Sequence, residues 1–94
     1  MKVTVKFFTT LREIVGKPKE EMELSEVATI NELLHQLEEK YGEKLTHYLY
    51  DDKGKVRGHL HLLINGRSIT TQKGLKTKLK ENDVVAILPP VGGG

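Results

Sequence analysis

Residues 29–41 carry the one long helical period in this chain, and most other regular stretches alternate like strands. Ile30, Leu33, Leu34, Leu37 and Tyr41 recur three and four apart, so a helix over 29–41 gathers them on one apolar stripe. Glu38, Glu39 and Lys40 fall on its solvent side. Thr29, Ile30, Asn31 and Glu32 have the form of a capping box, in which the Thr and Glu side chains satisfy amides that lack partners in the first turn. Gly42 ends the helix. A helix with one apolar stripe must bury it against another layer, and the alternating stretches supply that layer as a sheet.

Over residues 2–8, Val3, Val5 and Phe7 alternate with Lys2, Thr4 and Lys6; Phe8 is apolar on the polar side. Residues 10–15 read as a short helix capped by Thr10, with Gly16 in the left-handed position after it. A turn at Lys17, Pro18 and Lys19 leads to a return strand over 20–27, with Met22 and Leu24 alternating against Glu21, Glu23 and Ser25. Residues 43–58 form a polar connection in which Leu45, Tyr48 and Leu49 make one helical turn, followed by a turn at 51–55. A third strand over 59–65 places Leu60, Leu62 and Ile64 on one face. Asn65 and Gly66 both tolerate positive φ and predict a tight turn into a short strand over 67–69.

Residues 70–81 are irregular, anchored by Leu75 and Leu79, and Asn82 and Asp83 make a further turn. Residues 84–88 are almost continuously apolar, as in a central strand covered on both faces or one whose second face meets a partner. No repeat or linker interrupts the chain. The order predicts an α+β fold, a mixed sheet of four to five strands packed by one main helix. The domain is expected over 1–88, with a flexible Gly tail over 89–94.

Composition limits the chemistry. Ninety-four residues build one modest core. There is no cysteine, which removes disulfides, thiolate-bound zinc, iron–sulfur clusters and any cysteine persulfide. A net charge of +2 with no dense basic run argues against nucleic-acid binding. No apolar run nears the roughly 18 residues of a membrane span, and the N-terminal stretch lacks a signal-peptide core. A cytoplasmic location is therefore expected. His59 and His61 share a strand face without a third ligand, so no metal is expected. Lys73, Lys76, Lys78 and Lys80 form a basic stretch, a solvated face that can also steer an acidic partner.

The chemistry gathers at Pro89, Pro90, Val91, Gly92, Gly93 and Gly94. Two prolines cannot donate ladder hydrogen bonds, so the sheet should stop at Leu88. Glycines lack Cβ and can thread a narrow channel, and Gly94 presents an unhindered carboxylate. A carboxylate is a poor acyl electrophile until activated, most directly by adenylation with ATP. The acyl-adenylate can then accept sulfur, giving a thiocarboxylate, or pass to a lysine amine. Neither route requires a catalytic side chain here, and no nucleophile–base pair is evident.

The first strand and helix, Val5 through Phe7, Phe8, Arg12, Glu13 and Gly16, resemble the β-grasp family of molybdopterin synthase small subunits (MoaD), related to ThiS and the archaeal ubiquitin-like modifiers. Asn65, Gly66 and Arg67, and the run from Leu79 to Val91 with its following glycines, carry the same resemblance, which covers nearly the whole chain. It implies that a MoeB-like, ubiquitin-activating-type enzyme consumes ATP to adenylate Gly94, with Gly93 completing the diglycine. A sulfur donor then forms the thiocarboxylate. The tail inserts into a MoaE-like large synthase subunit, where two sulfurs are added to a pterin precursor. No cofactor is expected to be bound. The polar 43–58 connection leaves room for a specialised partner or for protein modification instead.

In a β-grasp sheet the first and last strands are parallel neighbours. Parity then turns Val84, Ala86 and Leu88 outward beside Phe8, with Leu63 on the same side. Phe8, Leu63 and Leu88 are the expected partner-binding residues, since a contiguous apolar patch marks an interface.

Overall fold

Val3, Val5 and Phe7 are at most 1% exposed, while Lys2 and Lys6 face solvent, so the alternation of the first residues is obeyed in full. The structure, a computed structural model, describes residues 1–89. Its elements are β1 (Lys2–Phe7), α1 (Thr9–Val15), β2 (Lys19–Glu23), α2 (Ile30–Tyr41), α3 (Glu43–Leu49), β3 (His61–Ile64), β4 (Arg67–Ser68) and β5 (Val84–Leu88), with 3₁₀ turns at Ile69–Thr71 and Gly74–Lys76. The sheet has five strands in the order β2-β1-β5-β3-β4. β1 and β5 are parallel; the other three pairings are antiparallel. This is the mixed β-grasp sheet expected from the sequence.

The long helix behaves as its stripe requires. Ile30, Leu33, Leu34 and Leu37 have no exposed surface. The Thr29 hydroxyl accepts the Glu32 amide at 3.4 Å, the Thr half of the capping box. Inner-face residues of β1 and β5, Val85 and Ile87 among them, share one core with this stripe.

The central parallel pair is pinned where β5 begins. The Lys2 amide donates to the Glu81 carboxylate at 2.6 Å, and the Asn82 amide donates to the Lys2 carbonyl at 2.8 Å. Asn82 takes a left-handed φ of 67°, which Asn tolerates better than most side chains. Asp83, only 8% exposed, accepts from the Lys80 amide and the Asn65 side chain, whose oxygen in turn accepts the Val84 amide at 2.9 Å. Asn65 and Gly66 turn with φ of 51° and 84°, as predicted.

Several boundaries differ from expectation for local reasons. The return strand stops at Glu23 instead of reaching residue 27, because the Leu24 amide already bonds the carbonyl of Met1 and the partner strand runs out. Helix α1 begins at Thr9 with Phe8 at its N-cap and no side-chain cap bond, so Thr10 lies inside the helix and caps nothing. Gly16, with φ of 86°, closes it as expected. The predicted single turn around Leu45 is a full helix, α3, whose Leu45 and Leu49 have no exposed surface. Gly42 makes the joint: its N–H bonds the Glu38 carbonyl, and its own carbonyl accepts the Thr46 amide. β3 starts at His61 instead of 59, since the Leu60 amide is spent in a turn to Arg57. β4 ends at Ser68, whose hydroxyl accepts the Thr70 amide and opens the 3₁₀ turn. In the irregular segment Leu79 and Ile69 are the buried anchors, and Leu75 is only partly covered.

Leu37→Ala should cost about 2–5 kcal/mol in urea unfolding, as a buried large-to-small change does. Val27→Ala, at a site 68% exposed, should stay within about 0.5 kcal/mol.

Candidate functional site

Parallel pairing makes β1 and β5 run toward the same end of the sheet. Phe7 stands opposite Ile87, so Phe8 and Leu88 follow in step at the point where the chain leaves the sheet. Phe8 keeps an extended backbone, φ −132° and ψ 152°, before α1 turns away. Val85 and Ile87 are wholly buried on the inner face, which sends Val84, Ala86 and Leu88 to the outer face, each half-buried. Leu63 pairs with Ala86, and His61 pairs with Leu88, so Leu63 and Leu88 are diagonal neighbours on that face.

Register and parity thus bring Phe8, Leu63 and Leu88 to one side of the sheet. They are half-buried rather than bare; Val27 is the one large apolar side chain fully exposed among the described residues. The rim is polar and cationic. Lys6 stands opposite Ala86 on one side and Lys19 on the other, and His61 borders Leu88. Glu21 and Glu23 lie toward the opposite end, with Lys2 3.5 Å from the Glu21 carboxylate. Pro89, half-buried, is the last described residue. The sites assigned to Pro90, Val91, Gly92, Gly93 and Gly94 lie outside the described residues.

A buried charge cluster was not anticipated. Glu20 is 7% exposed and sits where β2 meets the end of α2. The ammonium groups of Lys17 and Lys40 approach its two oxygens at 2.5 and 2.8 Å, and the Tyr41 hydroxyl donates to it as well. Burial alone would raise the Glu20 pKa, but these three donors outweigh it and hold the carboxyl at about 2. The signal was present in the sequence, for alternation puts Glu20 on the same inward side as Met22 and Leu24.

The predicted 43–58 connection borders an open groove of about 600 Å³, lined by His35, Glu38, His47, Tyr50, Asp51 and Asp52 among others. Burial, and then the Glu38 charge, push the Tyr50 hydroxyl up to about 12, and among the described residues that hydroxyl has no hydrogen-bond partner. Asp51 accepts the Lys53 and Lys55 amides and so holds the loop tip. Among the described residues no three His, Asp or Glu side chains are placed to hold a metal ion, and no helix is long and apolar enough to cross a membrane.

Comparison with known proteins agrees with this geometry. The family model described as the ThiS family matches residues 5–94. Small archaeal modifier protein 3 of Haloferax volcanii is 36% identical over 94 residues, covering all of both chains. The molybdopterin synthase sulfur carrier subunit of Drosophila melanogaster is 33% identical, covering 98% of this chain and 90% of that one. The crystal structure of SAMP1 from Haloferax volcanii superposes with a TM-score of 0.87 at 26% identity, over the whole of both chains. By its name the Drosophila protein is one subunit of a larger enzyme, so relatives of this type work with partner proteins.

The Glu20 cluster sets a pH dependence. Its folded pKa of about 2 lies below the ordinary carboxylate value of 4.5, so its stabilisation is complete above about pH 5 and is lost as pH falls toward 2. Glu20→Gln should lower stability at pH 7 and flatten the acid limb between pH 5 and 2, read by denaturant unfolding at each pH.

Proposed function

We propose that this chain, which belongs to the ThiS family of ubiquitin-like sulfur carriers and modifiers, is a sulfur carrier acting as the small subunit of a molybdopterin synthase. The observation that carries the reading is the parallel β1–β5 pair, which brings Leu88 and Pro89 out of the sheet beside a half-buried apolar row. Three glycines end the sequence beyond it.

Each step follows from carboxyl chemistry. An oxygen of the Gly94 carboxylate attacks the α-phosphorus of ATP, and pyrophosphate leaves. Hydrosulfide from a sulfur source then attacks the acyl carbon, displaces AMP and loses its proton, leaving a thiocarboxylate on Gly94. In a synthase the thiocarboxylate sulfur attacks a carbon of the pterin precursor and displaces an oxygen leaving group from it; water then cleaves the acyl–sulfur bond, which leaves the sulfur on the pterin and regenerates the carboxylate. The chain supplies no acid or base for these steps. Its work is to dock and to present Gly93 and Gly94. Phe8, Leu63 and Leu88 bind first the MoeB-like adenylating enzyme and then the MoaE-like large subunit. The cationic rim at Lys6 and Lys19 matches partners with acidic edges. ATP-dependent activation suits the cytoplasm.

A second reading has its own support. The 36% identity with the archaeal modifier spans the full length of both chains. In that reading the same adenylate passes Gly94 to a lysine amine, forming an isopeptide bond with release of AMP. The docking face and the activation step are common to both.

Incubation with ATP, the cognate activating enzyme and a sulfur source should raise the intact mass by the exchange of one oxygen for one sulfur, located at Gly94. Gly94 remnants on lysines in cell extract would instead favour the modifier, and absence of both products would end both readings. Phe8→Asp and Leu88→Asp should each weaken binding of the activating enzyme and the large subunit by about tenfold or more in calorimetry. Unchanged affinities would remove this face from the docking role.

A further inference from the structure

A second surface stands apart from the outer sheet face. Where β3 begins, the 3₁₀ turns fold past the sheet edge and leave an apolar pocket of about 230 Å³. Leu60, Leu62 and Ile69 line it from the core, each between 4 and 7% exposed, and Val56 and Leu75 form its partly covered lip. Apolar cavities of about 150 Å³ already take benzene, so this one holds a whole branched or aromatic side chain.

The charges around the pocket have one sign. Arg57 is in its lining, and its Nε is fixed by the His47 carbonyl at 3.0 Å. Lys73 and Lys76 flank the lining pair Gly74 and Leu75, Arg67 precedes the lining Ser68, and all three are exposed. Among the described residues no Asp or Glu lines the pocket. Among the described residues none of these four cations has a carboxylate within 4.0 Å. Asp51 is near enough for its carboxyl to feel the Arg57 charge, and one of its two oxygens accepts both the Lys53 and the Lys55 amides.

We propose that this pocket is a second docking site, and that it takes an extended segment of a partner protein carrying one large apolar side chain flanked by carboxylates. The apolar side chain fills the space over Leu60, Leu62 and Ile69, where burial supplies affinity. The flanking carboxylates meet Arg57, Lys73 and Lys76, where complementarity sets orientation and excludes basic segments. The site gives a function to the basic stretch at Lys73 and Lys76 that the outer face leaves unused. It needs neither the chain end nor its activation, so it stands or falls separately from the carrier role.

The test is an NMR titration of the ¹⁵N-labelled full chain with blocked five-residue peptides. The probe has leucine between two aspartates on either side; the controls replace leucine with alanine, or the aspartates with lysines. The probe should shift amides of residues 56–62 and 68–76. The alanine peptide should bind about tenfold more weakly, as loss of a buried leucine contact requires. The lysine peptide should not bind, and the double variant Lys73→Glu, Lys76→Glu should lose several-fold affinity with its own spectrum otherwise unchanged. No shift at millimolar peptide, equal binding of the lysine peptide, or shifts centred on Leu63 and Leu88 would each overturn the proposal. So would movement of the pocket amides, with no peptide present, on deletion of residues 90–94 or on dilution, since the pocket would then belong to the chain's own end or to a second copy.

Discussion

β1 and β5 lie side by side and parallel at the centre of the sheet, and parallel neighbours cannot be joined by a tight turn. The chain between them must therefore cross over, and α2 makes that crossing on one face of the sheet. That is why α2 must be apolar on one side, with Ile30, Leu33, Leu34 and Leu37 all fully buried. The start of the pair is fixed by Lys2, Glu81, Asn82 and Asp83, its far end by the register of Phe7 with Ile87. A slip of one residue would turn Val85 and Ile87 outward and bury Ala86 and Leu88 in their place. The same register that makes the core thus decides which side chains the outer face presents.

The two faces of β5 divide the molecule's tasks. Inward residues meet the helix stripe and are closed to solvent; outward ones stay half-covered beside the chain exit. The Glu20 cluster supports this division from the edge. It ties the outermost strand to the end of α2 through Lys17, Lys40 and Tyr41. A buried carboxylate is costly unless fully paired, and here each oxygen has a charged donor. The rings of Phe7 and Tyr41 also meet in a T-shaped pair, with centroids 6.5 Å apart, so the cluster bears on the core directly.

What could be read in the sequence was whatever repeats. Period two revealed β1, the inner face of β3 and the two faces of β5; period 3.6 revealed α2 almost to the residue. Turn chemistry revealed Asn65 with Gly66, and Gly16. What escaped lacks a period long enough to count. Leu45 and Leu49 are one spacing apart, which a single turn explains as well as the helix that forms. β2 was drawn too long because its end depends on where β1 begins, a contact remote in sequence. Glu20 escaped because an inward charge is disfavoured unless its partners are known, and Lys40 and Tyr41 arrive from another element. Phe8, Leu63 and Leu88 could be placed on one face from parity once the strand order was assumed, but their partial cover could not.

The start of the chain is also engaged. The Met1 ammonium donates to the Leu24 carbonyl at 2.6 Å and stands 3.5 Å from the Glu26 carboxylate, closing the ladder between β1 and β2. A peptide fused ahead of Met1 would replace that ammonium with an amide and put its bulk beside Leu24 and Glu26. A fusion after Gly94 would cap the carboxylate on which the proposed carrier chemistry rests. Affinity handles and fluorophores therefore belong elsewhere, and the tip between Asp51 and Lys55 suits them best. It is exposed at Lys53 and Gly54, and its bonds close locally on Asp51. Spliced there, a reporter leaves both ends of the chain as they are.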